Sequence, residues 1–171
     1  MKKILVSILV VFTSSICTMG QDWSLWRGVE RQGIWHEDGI IDEFPDDGLK
    51  VKWRVPVGSG YAGPAVANGR VFVLDWIEDA NSRTLDGEER LLVLDEETGR
   101  ELWTAEWQTS YRALMGSYAI GPRATPTVDG DSVFVVGATG RLLSFDVIDG
   151  SMNWAGSYTH LRAHETRGNL V

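Results

Sequence analysis

The sequence predicts an all-β fold, a β-propeller of four-stranded antiparallel blades, of which the chain supplies a truncated fragment of about two to three. Three observations predict it. A string of Asp, two residues, a polar residue, Gly and then Trp runs from Asp95 to Trp103 and again from Asp146 to Trp154. Tryptophans at 53, 103 and 154 are spaced 50 and 51 residues apart, a period suited to a blade repeat. Eight tryptophans and 19 glycines against five prolines suit short strands joined by glycine turns, and beyond residue 20 no useful run has the 3.6-residue period of a helix.

Taken in order, Met1-Lys2-Lys3 and the apolar run 4–12 have the charged start and short core of a signal peptide, residues 1–20. Thr18 and Gly20 are small enough to precede a cleavage site, and Ile16 makes lipidation of Cys17 a poor reading. Residues 21–156 are the N-terminal part of the propeller. Trp23 and Trp26 are expected to close an edge by packing, Arg27 to stack on a ring or cap a carboxylate, and His36 to be a surface histidine. Lys50 to Val57 alternates polar and apolar residues and predicts a half-buried strand ending at Pro56.

Asn68-Gly69 predicts a type I′ hairpin turn. The text around it returns at residues 124–136, matching Pro64 with Pro126, Val66 with Val128 and residues 71–73 with 133–135. Strands are therefore expected at 65–67, 70–75, 90–95 and 100–104, then at 126–128, 132–136, 141–146 and 151–154. A loop that stays solvated should fill residues 76–90; its Asp79-Ala80-Asn81 start is calcium-like, but Arg83, Thr84 and Arg90 stand where ligands and a glycine belong. Asp95 should accept turn N–H groups, with Gly99 in the left-handed region.

Residues 157–171 resemble a translated sequencing adapter and are read as a non-native tail, which removes His160, His164 and Glu165 as a metal set. Without residues 1–20 and that tail, 12 basic residues face 23 acidic ones, a net charge of −11. A body so acidic repels phosphate backbones and anionic lipid, which excludes nucleic acid as a partner. The apolar start is too short to span a membrane, and the lone cysteine excludes an internal disulfide framework.

Asp95-x-x-Thr98-Gly99-Arg100-x-x-Trp103 resembles the tryptophan-docking motif of pyrroloquinoline-quinone-like (PQQ-like) β-propeller repeats. Asp146-x-x-Asp149-Gly150-x-x-x-Trp154 is a degraded copy, and Trp53 ends a third. Trp26-Arg27-Gly28 and the two Gly-Pro loops resemble segments of secreted bacterial members of the PQQ-binding-like and BamB-like (outer membrane protein assembly factor) kinds. The resemblance implies one architecture with two uses. Quinoprotein alcohol dehydrogenases hold PQQ and calcium at the channel mouth, use an Asp base and stack the quinone on a vicinal disulfide; the assembly factors bind polypeptide without a cofactor.

The mature chain has no cysteine, and no Glu, Asn and Asp set matches the calcium ligands. The expectation is therefore a non-catalytic, periplasmic or secreted scaffold for protein binding or cell-envelope assembly, with no evident cofactor and no catalytic or metal residues. The alternative is a PQQ-dependent oxidoreductase whose catalytic residues lie in a missing C-terminal part. Family geometry places Tyr61, Tyr118, Arg123 and Thr125 near the channel mouth, for a protein, peptide or small-molecule ligand. For Arg123 itself, a salt bridge to a neighbouring blade is the preferred expectation over ligand contact.

Overall fold

Alternating β-branched and aromatic residues between glycine turns form eight strands in the computed structural model, which describes residues 20–37, 39–112, 114 and 120–158. The expected signal peptide up to residue 19, Tyr118 and nearly all of the adapter-like tail lie outside the described residues. The first sheet contains β1 (Ala65–Ala67), β2 (Arg70–Glu78), β3 (Asp86–Asp95) and β4 (Glu101–Ser110). The second contains β5 (Thr127–Asp129), β6 (Ser132–Val136), β7 (Arg141–Asp146) and β8 (Met152–Ser157). Each is an antiparallel meander in chain order, and they are two consecutive blades of the expected propeller.

The repeat extends to register. Val66 pairs with Val71 and Val128 with Val133, and both sheets shift register one residue before the turn aspartate, at Val93/Leu94 and Ser144/Phe145. Asn68 and Gly69 have φ of 54° and 70°, as a type I′ turn requires. The N-terminal segment joins the innermost strands: Trp23 bridges Val66, and Val128 N donates to Ser24 O at 2.7 Å.

Three expectations need correction. The insertion is mostly strand: β2 continues to Glu78 and β3 begins at Asp86, so only residues 79–85 form a loop. Packing decides this, because Trp76 and Glu89 are buried opposite each other in the ladder. Residues 50–57 form no strand; Trp53 and Val55 are half-buried as the alternation predicts, but no neighbouring strand pairs with them. Trp26 is 66% exposed because the 25–28 turn rotates it outward, with Arg27 stacked over its ring at 5.6 Å.

The core lies between the sheets. One face of the first sheet presents cross-strand rows: Phe72, Val93 and Trp103; Leu74, Leu91 and Ala105; Trp76, Glu89 and Trp107. Val128, Val133, Val135, Leu143, Phe145 and Val147 pack against it. The ring centroids of Trp103 and Trp107 lie 6.4 and 6.2 Å from that of Phe145.

At the turn end, each copy of the repeated string forms a seat. Asp95 Oδ1 accepts from Thr98 N at 2.8 Å and Thr98 Oγ1 at 2.6 Å, while Gly99 N donates to Asp95 O at 2.8 Å. Asp146 Oδ1 likewise accepts from Ile148 N at 2.7 Å. Trp53 lies on Gly99, where a Cβ would come within 2.6 Å of the ring, and its Nε1 donates to Glu96 O at 2.9 Å. Trp103 lies in the same way on Gly150, where a Cβ would approach to 2.5 Å, and donates to Val147 O at 3.0 Å. Both glycines also have positive φ, 69° and 73°, so any side chain there would be doubly strained.

Trp154 packs one side on Phe134, 6.0 Å between centroids, and remains 44% exposed. Replacing Trp103 by Ala is therefore expected to cost ~3–5 kcal/mol in urea denaturation, whereas Trp154→Ala should cost less than ~1.5 kcal/mol. Hydrogen bonds from the Thr98 side chain and backbone hold the Asp95 carboxyl below its ordinary pKa of 3.8. A depressed folded-state pKa means that this contribution is complete above the ordinary value and is lost as pH falls through the depressed one. Asp95→Asn should thus melt at a lower temperature than the parent at neutral pH, and the gap should close in thermal melts taken well below pH 3.8.

Candidate functional site

The end of the sheets opposite the tryptophan seats is built from the two glycine-proline loops, residues 58–64 and 120–126. Sheet edges fix the first loop: Ser59 bridges Trp76 in both directions, at 2.9 and 2.8 Å, and Gly58 N donates to Asp75 Oδ2 at 2.6 Å. The second is held to the first by Tyr61 N donating to Pro122 O at 2.8 Å. This close approach requires Gly121, with φ of 114° and no room for a Cβ, which would meet Gly60 at 2.6 Å.

The loops bring three sequence-predicted residues together. The Arg123 guanidinium lies over the Tyr61 ring at 5.9 Å, a cation–π arrangement. Tyr61 is 63% exposed. Thr125 Oγ1 would be 3.5 Å from a Cβ on Gly63, so it shares this end of the molecule. The remaining motif residues, Trp53, Asp95, Thr98, Gly99, Trp103, Asp146, Gly150 and Trp154, belong to the turn seats or to β8 and do not reach this end.

Two buried carboxylates were not foreseen. Asp75, 2% exposed, takes a bidentate pair from Arg90, Nε to Oδ1 at 3.0 Å and Nη2 to Oδ2 at 2.7 Å, across a directly paired position of β2 and β3. The hydrogen bonds that Arg90 donates to Asp75 raise its pKa, so the guanidinium stays charged. With Gly58 N as third donor, the pair anchors the first loop. Glu89 is fully buried and accepts from Trp107 Nε1, Tyr111 OH and Ala138 N, each at 2.8 Å. Burial and the bond to Glu89 push the Tyr111 phenol above its usual range. Strand parity was the available signal: once β3 begins at Asp86, Glu89 shares a face with Leu91 and Val93.

These donor sets bear on the cofactor. Both buried carboxylates already have their oxygens engaged by protein donors, and among the described residues no three His, Cys, Asp or Glu side chains converge as metal ligands. A groove of about 570 Å³ at the turn end is lined by Asp22, Asn68, Asp129 and Asp131, yet these form no such set either. No helix among the described residues is long and apolar enough to cross a membrane.

No curated protein matches the chain. Among solved structures it is similar to a europium-containing methanol dehydrogenase, at 21% identity over 66% of this chain and 20% of that one, with a TM-score of 0.44. It is also similar to BamB from Moraxella catarrhalis, at 17% identity over 59% of this chain and 34% of that one, with a TM-score of 0.33. The chain thus spans only a minor part of either protein. The family described as outer membrane protein assembly factor BamB matches residues 45–168, a span that contains both sheets, both turn seats and both glycine-proline loops. With that match over well more than half its length, the chain belongs to this family of PQQ-like repeat propellers.

Proposed function

We propose that this chain is part of a non-catalytic propeller scaffold that binds polypeptide at the cell envelope, exported by residues 1–20, with the loop end around Tyr61 and Arg123 as its contact surface. The observation that carries the reading is the exposed Tyr61 ring with Arg123 stacked on it, on two loops fixed by a backbone hydrogen bond. Tyr and Arg are the residue types that most often dominate protein interfaces, since each offers a large contact area with a polar end. Prearranged by stacking and by the Gly60–Gly121 contact, they lose little freedom on binding. The guanidinium can donate to a carboxylate or backbone carbonyl of an extended peptide while the ring covers a neighbouring apolar side chain.

The family supports a polypeptide partner, and the acidic body argues against nucleic acid. Large apolar residues exposed along residues 26–57, among them Trp35, Ile40, Phe44 and Leu49, add contact surface of the kind that interfaces use. In the same reading, Trp53 and Trp103 serve as docking residues that hold successive blades.

Fluorescence anisotropy with labelled extended peptides that alternate aromatic and acidic residues tests this. Tyr61→Ala and Arg123→Ala should each weaken binding at least about tenfold, with unchanged melting temperature. Parent-like affinity in both variants would sink the assignment of this surface. Dye-linked alcohol oxidation by the chain supplied with PQQ and calcium would sink the non-catalytic reading.

A further inference from the structure

Glu89 occupies a place in β3 that strand parity reserves for an apolar residue. It lies between Trp76 and Trp107 in a cross-strand row that continues the Leu74-Leu91-Ala105 row. A carboxylate with no exposed surface is costly unless its oxygens are satisfied, and here they are satisfied from both sheets. Oε1 accepts from Tyr111 OH and from the backbone N–H of Ala138, both at 2.8 Å. Oε2 accepts from Trp107 Nε1 at 2.8 Å and, more weakly, from Thr109 Oγ1 at 3.4 Å. Ala138 lies in the β6–β7 turn of the second sheet. Beside it, a Cβ on Gly137 would stand 2.3 Å from Oε2, so the second sheet approaches the carboxylate as closely as only glycine allows.

We propose that Glu89 is a positioning residue that latches the two blades together at the loop end, where the Arg123–Tyr61 pair lies. The proposal rests on reading that end as the binding surface. Tyr111 is fixed from three sides: its N–H donates to Leu85 O at 2.8 Å, its ring lies 5.0 Å from that of Trp76, and its hydroxyl ends on Glu89. Arg123 is near enough to act electrostatically on the Tyr111 phenol. The hydrogen bonds therefore run from Ala138 of one blade through Glu89 to Tyr111 of the other, at the end of the sheets where the Arg123–Tyr61 pair lies.

The donor set makes the latch testable by an isosteric change. Glutamine has the volume of glutamate but replaces one acceptor oxygen by an NH2 donor. Turned toward Tyr111 and Ala138, that NH2 meets a backbone N–H that can only donate. Turned the other way, it meets the indole N–H of Trp107, which also can only donate. The tyrosine and threonine hydroxyls can reverse; these two groups cannot. Glu89→Gln is therefore frustrated in either orientation, and Trp107→Phe should relieve it by vacating one side, which lets the amide oxygen still accept from Ala138.

Amide hydrogen exchange at Ala138 in the full chain, without any ligand, reads this directly. Glu89→Gln alone should accelerate exchange at least about tenfold, whereas adding Glu89→Gln to a Trp107→Phe background should accelerate it less than about threefold. An unchanged rate in Glu89→Gln, or equal acceleration in both backgrounds, would overturn the latch. Should Glu89→Gln alone fail to fold, the Trp107→Phe pair decides: a folded double variant with Ala138 protected supports the latch, and an unfolded one overturns it. Failed peptide binding at Tyr61 and Arg123 would overturn the surface assignment and leave the exchange result standing.

Discussion

An indole seated on a glycine is the contact on which the rest of the structure depends. Trp103 reaches the turn of the next sheet because Gly150 has no side chain, and its N–H then finds Val147 O at 3.0 Å. The Asp-x-x-x-Gly turn must hold its shape for that carbonyl to be in place, which is the role of the Asp146 and Asp95 hydrogen bonds. Position therefore passes from aspartate to turn, from turn to carbonyl and glycine, and from these to a ring belonging to another sheet. The 50- and 51-residue spacings follow from this, since each ring must arrive one blade before its seat.

This explains how much of the fold was legible in the sequence. Residues whose structural role is local, such as Asn68-Gly69 or Asp95 to Gly99, announce it by type and spacing alone. The strands around them were therefore located to within a few residues at their turn ends. The far ends of β2, β3 and β4 were not, because nothing local distinguishes Asp86 to Glu89 from a charged loop. What makes that stretch strand is pairing with Trp76 to Glu78 and with Trp107 to Ser110, and tertiary partners are invisible in a single sequence.

The candidate surface was legible in the same uneven way. Tyr61, Arg123 and Thr125 could be grouped because their loops repeat a Gly-Pro pattern, and the structure brings the first two into contact. The acids that support those loops could not be found, because Asp75 and Glu89 look in sequence like two more charges in an acidic chain. Both became visible only through burial, when a carboxylate with 2% or no exposure was seen to have a full set of donors.

The two ends of the blade interface are consequently held by different physics. At the turn end, indole rings on glycines provide apolar burial and one neutral hydrogen bond per seat, an arrangement that tolerates variation such as Asp149 in place of Thr98. At the loop end, a buried carboxylate demands that several donors be in place together, and removing one donor strands a charge. Apolar contacts alone would leave the sheets free to pivot, since dispersion and area burial are weakly directional. A carboxylate with Trp107, Tyr111 and Ala138 as fixed donors removes that freedom where it matters, at the end that carries Tyr61 and Arg123. The cost of burying a charge is thus located beside the surface whose geometry it fixes, while the repeated, cheaper seat holds the stack together.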